Sequence, residues 1–179
     1  MIERTKTRLD QARSLLRQLK EEKFKQVQQA TPAAWPKFFS LLDSFINDAR
    51  TVIWVLQSEE REKYDAWESS SGATPTPAEQ IIFDLVTEMR NSIQKRGHPG
   101  IVARREQVTI PENPHPAAGT QYFGLPQWGR PTTMIDVYYV EGTNHEVVAI
   151  SEQYVAILTK LIDDFEQKTQ PRRCAEKAR

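Results

Sequence analysis

The chain has 179 residues, and its 24 basic side chains balance its 24 acidic ones, so the formal net charge is zero. This balance removes the general electrostatic argument for a nucleic-acid-binding protein, although it is compatible with a local basic patch. The length predicts one domain over residues 1–170, and we expect a basic, disordered tail at 171–179. Cys174, the single cysteine, excludes an internal disulfide framework and favours a reducing, cytoplasmic setting. The sequence contains no run of about 18 apolar residues, so we expect no membrane-spanning segment.

Two helices are predicted in the first part of the chain. Residues 2–29 contain neither Gly nor Pro, and one helical stripe holds Leu9, Ala12, Leu16 and Leu19. A second segment keeps one apolar face through Phe38, Leu42, Phe45, Ala49, Val52 and Leu56. Further apolar side chains widen that face at Phe39, Leu41, Ile46 and Trp54. We therefore expect the second helix to be buried on more than one side, at the centre of a bundle.

A third helix is predicted to begin at Pro77, because Thr76 and Glu79 have the spacing of a capping box. Its apolar face comprises Ile82, Leu85, Met89 and Ile93. Gly97 and Pro99 are expected to end it.

A β-rich insertion is predicted at about 103–149, before a last helix. Residues 107–110 favour a short strand, and 111–131 form an irregular segment with five prolines and three glycines. Residues 132–140 favour a second strand, which we expect to turn into a hairpin partner at 146–148. The last helix is marked by Ile150, Tyr154, Ile157, Leu161 and Phe165.

Three motifs in this order resemble a family of bacterial helical domains. Residues 45–57 (FINDARTVIWVLQ) are followed by Tyr64-Asp65-Ala66-Trp67 and by Met89-Arg90-Asn91 near the end of the third helix. Together they resemble uncharacterised proteins of the HEPN superfamily over roughly residues 35–168. The resemblance implies a mainly α, up-and-down helical bundle that often forms a homodimer, in a prokaryotic superfamily linked to RNA cleavage or to partner binding.

Catalytic members of that superfamily use an arginine and a histidine at one helix end. The resemblance makes Arg90, Asn91 and His98 the candidate catalytic residues of a metal-independent endoribonuclease. The family spacing would place the histidine at Lys95, Arg96 or Gly97, so His98 departs from the pattern. A helical step of eight residues also turns His98 about 80° from Arg90. The alternative that we favour is that Lys95, Arg96 and His98 complement the dipole at a helix C-terminus.

The candidate nucleic-acid-binding residues are Lys95, Arg96, Arg104 and Arg105, the densest basic cluster within the domain. Beside aromatic side chains, such a cluster could bind RNA by charge and stacking. A solvated charged face is the commoner meaning of such a cluster. Residues 111–131, which contain Tyr122, Phe123 and Trp128, could instead dock a protein partner.

No ligand spacing for a metal and no phosphate-binding loop is present, so we expect neither a metal nor a cofactor. Arg50 and Arg90 flank apolar stripes, and buried arginines require partners. The polar groups available to them are Asp48, Asp84, Glu88 and Asn91. The sequence thus leaves three hypotheses: a non-catalytic binding or regulatory module that contacts RNA or a protein, an endoribonuclease, and a structural interaction domain that docks through 111–131.

Overall fold

Five helices and one two-stranded sheet make up the part of the chain that this computed structural model describes, which is residues 2–29, 35–69, 74–109 and 132–169. The elements are α1 (Glu3–Gln29), α2 (Trp35–Glu59), α3 (Arg61–Glu68), α4 (Pro77–Arg96), β1 (Ile101–Thr109), β2 (Thr132–Val140) and α5 (Val147–Thr169). The fold is therefore mainly α, as predicted. The irregular segment 111–131 and the tail 171–179 lie outside the described residues.

The apolar stripe of α2 is buried as predicted, and it contributes two of the three largest fully buried side chains of the core. Phe38, Phe45 and Leu56 are each at most 1% exposed, and the whole stripe belongs to one core cluster with all five helices and β2. The expectation that Trp54 widens this stripe is wrong, because its side chain is 74% exposed. Trp54 lies two residues from Val52 and from Leu56, which turns it to the opposite side of the helix.

The long, charged helix α1 packs between α2 and α5. Its predicted stripe is buried, while its polar flank contacts α5 at regular intervals. Lys6 Nζ lies 2.7 Å from Glu166 Oε1, and Lys20 Nζ lies 2.5 Å from Glu152 Oε1. Midway between them, Arg13 Nη2 donates to Thr159 Oγ1 at 3.0 Å. Steps of seven residues on both helices place these contacts on one antiparallel seam.

The start and the end of α4 follow the sequence signals. The Thr76 hydroxyl accepts from Glu79 N–H, and the Glu79 carboxylate accepts from Thr76 N–H, so the predicted capping box is present. Gly97 adopts the left-handed conformation (φ 74°) and donates its N–H to the Ile93 carbonyl. The short helix α3 was not predicted. It buries Tyr64 and Trp67, and the Trp67 indole donates to Asp164 on α5 at 2.7 Å.

The sheet differs from the predicted hairpin in its pairing. β2 has the predicted bounds, but its antiparallel partner is β1, in the register Ile101↔Val140. β1 begins at Ile101, well before the predicted strand at 107–110. The sequence did not predict this start because the exposed Arg104 and Arg105 obscure the apolar alternation of the strand.

The hairpin partner predicted at 146–148 is wrong. Glu146 makes one isolated bridge with Tyr139, and Val147 and Val148 form the first turn of α5. Both valines are buried there, so core packing overrides the β-preference of their side chains. The sheet then meets the bundle where Tyr138 stacks on Phe38 with ring centroids 4.4 Å apart.

Thr159→Glu should add the carboxylate that the middle of the α1–α5 seam lacks. We expect an ion pair with Arg13 to stabilise the fold by about 0.2–1 kcal/mol, the range for exposed pairs, while Asp10 competes for the same guanidinium at 3.0 Å. Helix propensity alone adds a few tenths of a kcal/mol. Urea unfolding of a double-mutant cycle with Arg13→Ala separates the two contributions. A coupling energy of zero at low salt would refute the seam alignment.

Candidate functional site

The C-terminal end of α4 carries most of the candidate residues that the sequence singles out. Arg90 is half-buried and Asn91 is exposed, while α4 ends at Arg96 and the chain turns at Gly97. His98 therefore lies beyond the helix, and its direction is set by the left-handed turn instead of by a helical step. The ring is exposed, and its Nδ1 accepts the Gly100 N–H at 3.2 Å.

An open cavity of about 410 Å³, which we call the α4 cavity, lies between this end of α4 and the sheet. The described residues that line it are Glu88, Met89, Asn91, Ser92, Lys95, Arg96, Pro99, Gly100, Val140, Glu141 and Gly142. Asn91, Lys95 and Arg96 thus share one cavity, whereas Arg90 and His98 are not among its lining residues. The three candidate catalytic side chains are not brought together at this cavity.

Three of the four candidate nucleic-acid-binding residues have partners within the chain. Arg104 donates to Asn144 Oδ1 at 2.8 Å and to the Thr143 carbonyl at 2.7 Å, and its guanidinium lies 4.6 Å from the Tyr139 ring centroid. These contacts hold the loop between β2 and α5. Arg105 faces Asp136 across the sheet at 3.9 Å, and Arg96 lies 3.4 Å from Glu141.

Lys95 makes no ion pair with another described residue. It is therefore the member of the cluster whose charge is most available to a ligand.

Two of the polar groups expected to pair with Arg50 or Arg90 accept hydrogen bonds from other side chains. Asp48 accepts from Arg8 on α1 at 3.1 Å, and Asp84 accepts from Gln80 at 2.8 Å. Arg50 Nη1 is buried, with no hydrogen-bond partner among the described residues. Burial raises the pKa of the nearby Tyr154 phenol to about 12, although the positive charge of Arg50 acts in the opposite direction.

Gly100 fixes the corner between α4 and β1, and its replacement should be costly. Its φ is +62°, and an added Cβ would lie 2.8 Å from Ser92 Oγ. Gly97 has a similar φ of +74°, but an added Cβ would meet nothing within 4 Å. We expect Gly97→Ala to destabilise the fold by about 1 kcal/mol through backbone strain alone, and Gly100→Ala to cost more. Thermal unfolding of the two variants checks this, and equal losses would contradict the close approach.

A second open groove, of about 580 Å³, lies between the start of α1 and the end of α2. Its described lining residues are Arg4, Arg8, Thr51, Trp54, Val55, Gln57, Ser58 and Arg61. We call it the Trp54 groove. Sequence reasoning missed it because Trp54 was assigned to the core, although the angle between Trp54 and the Val52–Leu56 stripe on a helix would have indicated its exposure.

The Glu59 carboxylate joins the end of α2 to the start of α1, the two helix ends that flank this groove. Its Oε2 accepts from Thr5 N–H at 2.9 Å and from Thr5 Oγ1 at 2.6 Å, and its Oε1 accepts from Arg4 N–H at 2.9 Å. Burial alone would raise the pKa of Glu59, but the hydrogen bonds from Thr5 and Arg4 outweigh it and lower the pKa below its usual value. Two of the N-terminal donors of α1 are thereby occupied from within the chain.

Glu59→Gln should destabilise the fold near neutral pH by about 1 kcal/mol, in the range for losing a helix cap. Because the folded-state pKa of Glu59 is lowered, its stabilising effect is present above the ordinary Glu pKa of about 4.3 and is lost as the pH falls through the folded-state pKa. The difference in free energy of unfolding between wild type and variant should therefore shrink in acid. Urea unfolding at pH 7 and near pH 3 measures it, and a constant difference would contradict the role of the charge.

Within the described ranges, no group of three or more His, Cys, Asp and Glu side chains could hold a metal ion. His98 and His145 lie in this part of the chain, whereas His115 and Cys174 are outside it. None of the helices in the described residues is both long enough and apolar enough to cross a membrane. In comparisons with protein-family models, curated proteins and solved structures, no match to the chain is found.

Proposed function

We propose that the protein is a HEPN-like binding module that contacts RNA without cleaving it. The family assignment is supported by the order of the three motifs at 45–57, 64–67 and 89–91. They fall on α2, α3 and the end of α4, in a mainly α chain with a small sheet before its last helix. A homodimer and a reducing, cytoplasmic setting belong to the same proposal.

One observation carries the choice of binding over cleavage. Asn91 and Lys95 line the α4 cavity, and neither Arg90 nor His98 does. Cleavage of a phosphodiester requires a proton-transfer group and a charge-stabilising group within reach of the same phosphate. An amide and an ammonium group instead provide donors to phosphate oxygens and to base edges. The cavity therefore favours RNA contact centred on Lys95.

Lys95→Glu should weaken the binding of a short, fluorescein-labelled single-stranded RNA by about tenfold, because it replaces a phosphate-binding charge with a repulsive one. Fluorescence anisotropy at several salt concentrations measures the affinity. The slope of log K against log salt should fall by about one unit. Arg17→Glu is the matched control, because Arg17 is exposed on α1 and makes no ion pair with the described residues.

Three outcomes would contradict this proposal. No RNA binding by the wild type would remove RNA as the ligand. Cleavage by the wild type that both Arg90→Ala and His98→Ala abolish would establish the endoribonuclease instead. Equal losses of RNA affinity in Lys95→Glu and Arg17→Glu would show that binding depends on the overall charge and not on a site at Lys95. A protein partner that is lost only when 111–131 is removed would support the docking hypothesis, which concerns residues outside the described part of the chain.

A further inference from the structure

We propose that the Trp54 groove is a binding site for a nucleotide unit, an aromatic base joined to a phosphate. Its lining residues are all different from those of the α4 cavity, and it adjoins the start of α1, whereas the α4 cavity adjoins the sheet. The inference therefore goes beyond the proposed RNA contact at Lys95 and can succeed or fail without it.

The indole of Trp54 provides the surface for the base. Among the large hydrophobic side chains of the described residues that stand exposed, Trp54 is the most exposed, at 74%, compared with 52% for Ile81. Val52 and Leu56, two residues before and after it, belong to the buried stripe and supply the packing of α2. Trp54 is therefore not required for the core. A flat, solvent-facing indole can stack on any base, because every base has a π-face.

The charges around the indole suit a phosphate. Of the described residues that line the Trp54 groove, three are arginines and none is acidic. By contrast, Glu88 and Glu141 line the α4 cavity, and Asp163 and Asp164 line a further cavity on α5. Guanidinium groups bind phosphate oxygens in a bidentate manner and stack on aromatic rings. The groove thus combines the two kinds of group that a nucleotide requires.

The three arginines differ in how strongly the fold already engages them. Arg61 makes no ion pair with the described residues, so its guanidinium is the most available. The charge of Arg4 helps to lower the pKa of Glu59, through which its own backbone is held. Arg8 is bound to Asp48 at 3.1 Å. A phosphate must therefore compete with Asp48 for Arg8, and Arg61 should contribute the larger share of the affinity.

The dimensions and the polar groups also fit a small ligand. A volume of about 580 Å³ falls within the roughly 300–1,000 Å³ that small-molecule sites occupy. Gln57 and Ser58 line the same groove and can exchange hydrogen bonds with the edge of a base or with a ribose hydroxyl. Because Glu59 already accepts from two of the N-terminal N–H groups of α1, we assign the phosphate to the groove's side chains and not to that helix end.

The test uses the full chain with AMP and with a short oligoadenylate, which distinguish a free nucleotide from an unpaired nucleotide within RNA. Binding should quench part of the tryptophan fluorescence, to which four tryptophans contribute. Trp54→Ala should weaken binding by about tenfold or more, as expected for the loss of one stacked base. Trp54→Phe should retain most of the affinity, measured by calorimetry, but lose the quenching.

Charge variants and controls complete the design. Arg61→Glu should weaken binding by about tenfold, as the loss of a phosphate contact predicts, and Asp48→Asn should strengthen it by releasing Arg8. Ile81→Ala and Arg17→Glu, which change an exposed apolar and an exposed basic side chain elsewhere, should leave binding unchanged. Lys95→Glu should leave the quenching by AMP intact, because Lys95 lines the α4 cavity and not the Trp54 groove.

Saturable binding of AMP that depends on Trp54 and Arg61 would identify a free nucleotide as the ligand. Binding of the oligoadenylate alone, with the same dependence, would identify an unpaired nucleotide of RNA. The proposal is overturned if neither probe binds, or if Trp54→Ala and Arg61→Glu, folded as judged by circular dichroism and melting temperature, bind as well as the wild type.

Discussion

The burial of one face of α2 is the constraint on which the other elements depend. Its stripe from Phe38 to Leu56 runs nearly the whole length of the helix. Side chains of α1, α4 and α5 join it in one core cluster and exclude water from it. Helix α1 has a much narrower apolar stripe and is otherwise charged. Its second neighbour, α5, is therefore engaged through the polar seam that begins at Lys6–Glu166. Pairs of this kind add little stability each, but they select one alignment of the two helices.

A chain with equal numbers of acidic and basic residues can neutralise most of its surface charges internally. Much of this surface shows that pairing, along the α1–α5 seam and across the sheet at Arg105–Asp136. Basic side chains without an ion pair are candidates for ligand contacts, because a balanced composition offers each basic residue an acidic partner within the chain. Lys95, in the last turn of α4, and Arg61, the first residue of α3, depart from this pattern, and each lines an open cavity.

Signals that depend on a few neighbouring residues could be predicted from the sequence, whereas pairings over long distances could not. The Thr76–Glu79 capping box and the Gly97 turn are local, and both are present. The partner of β2 is separated from it by 110–131, so the nearer segment at 146–148 was a misleading choice. The contacts of Arg104 with Thr143 and Asn144 could not be predicted from the sequence, because that loop lies about 40 residues away.

The Arg90-Asn91 pair shows how two neighbouring residues of one motif can meet different surroundings. Successive residues of an α-helix point about 100° apart, so the two side chains can meet different surroundings. Asn91 faces the α4 cavity with Lys95, four residues on, while Arg90 takes the half-buried flank. His98 lies beyond the left-handed turn at Gly97, where its Nδ1 accepts the Gly100 N–H. At this corner, Asn91 and Lys95 therefore line one cavity that neither Arg90 nor His98 lines.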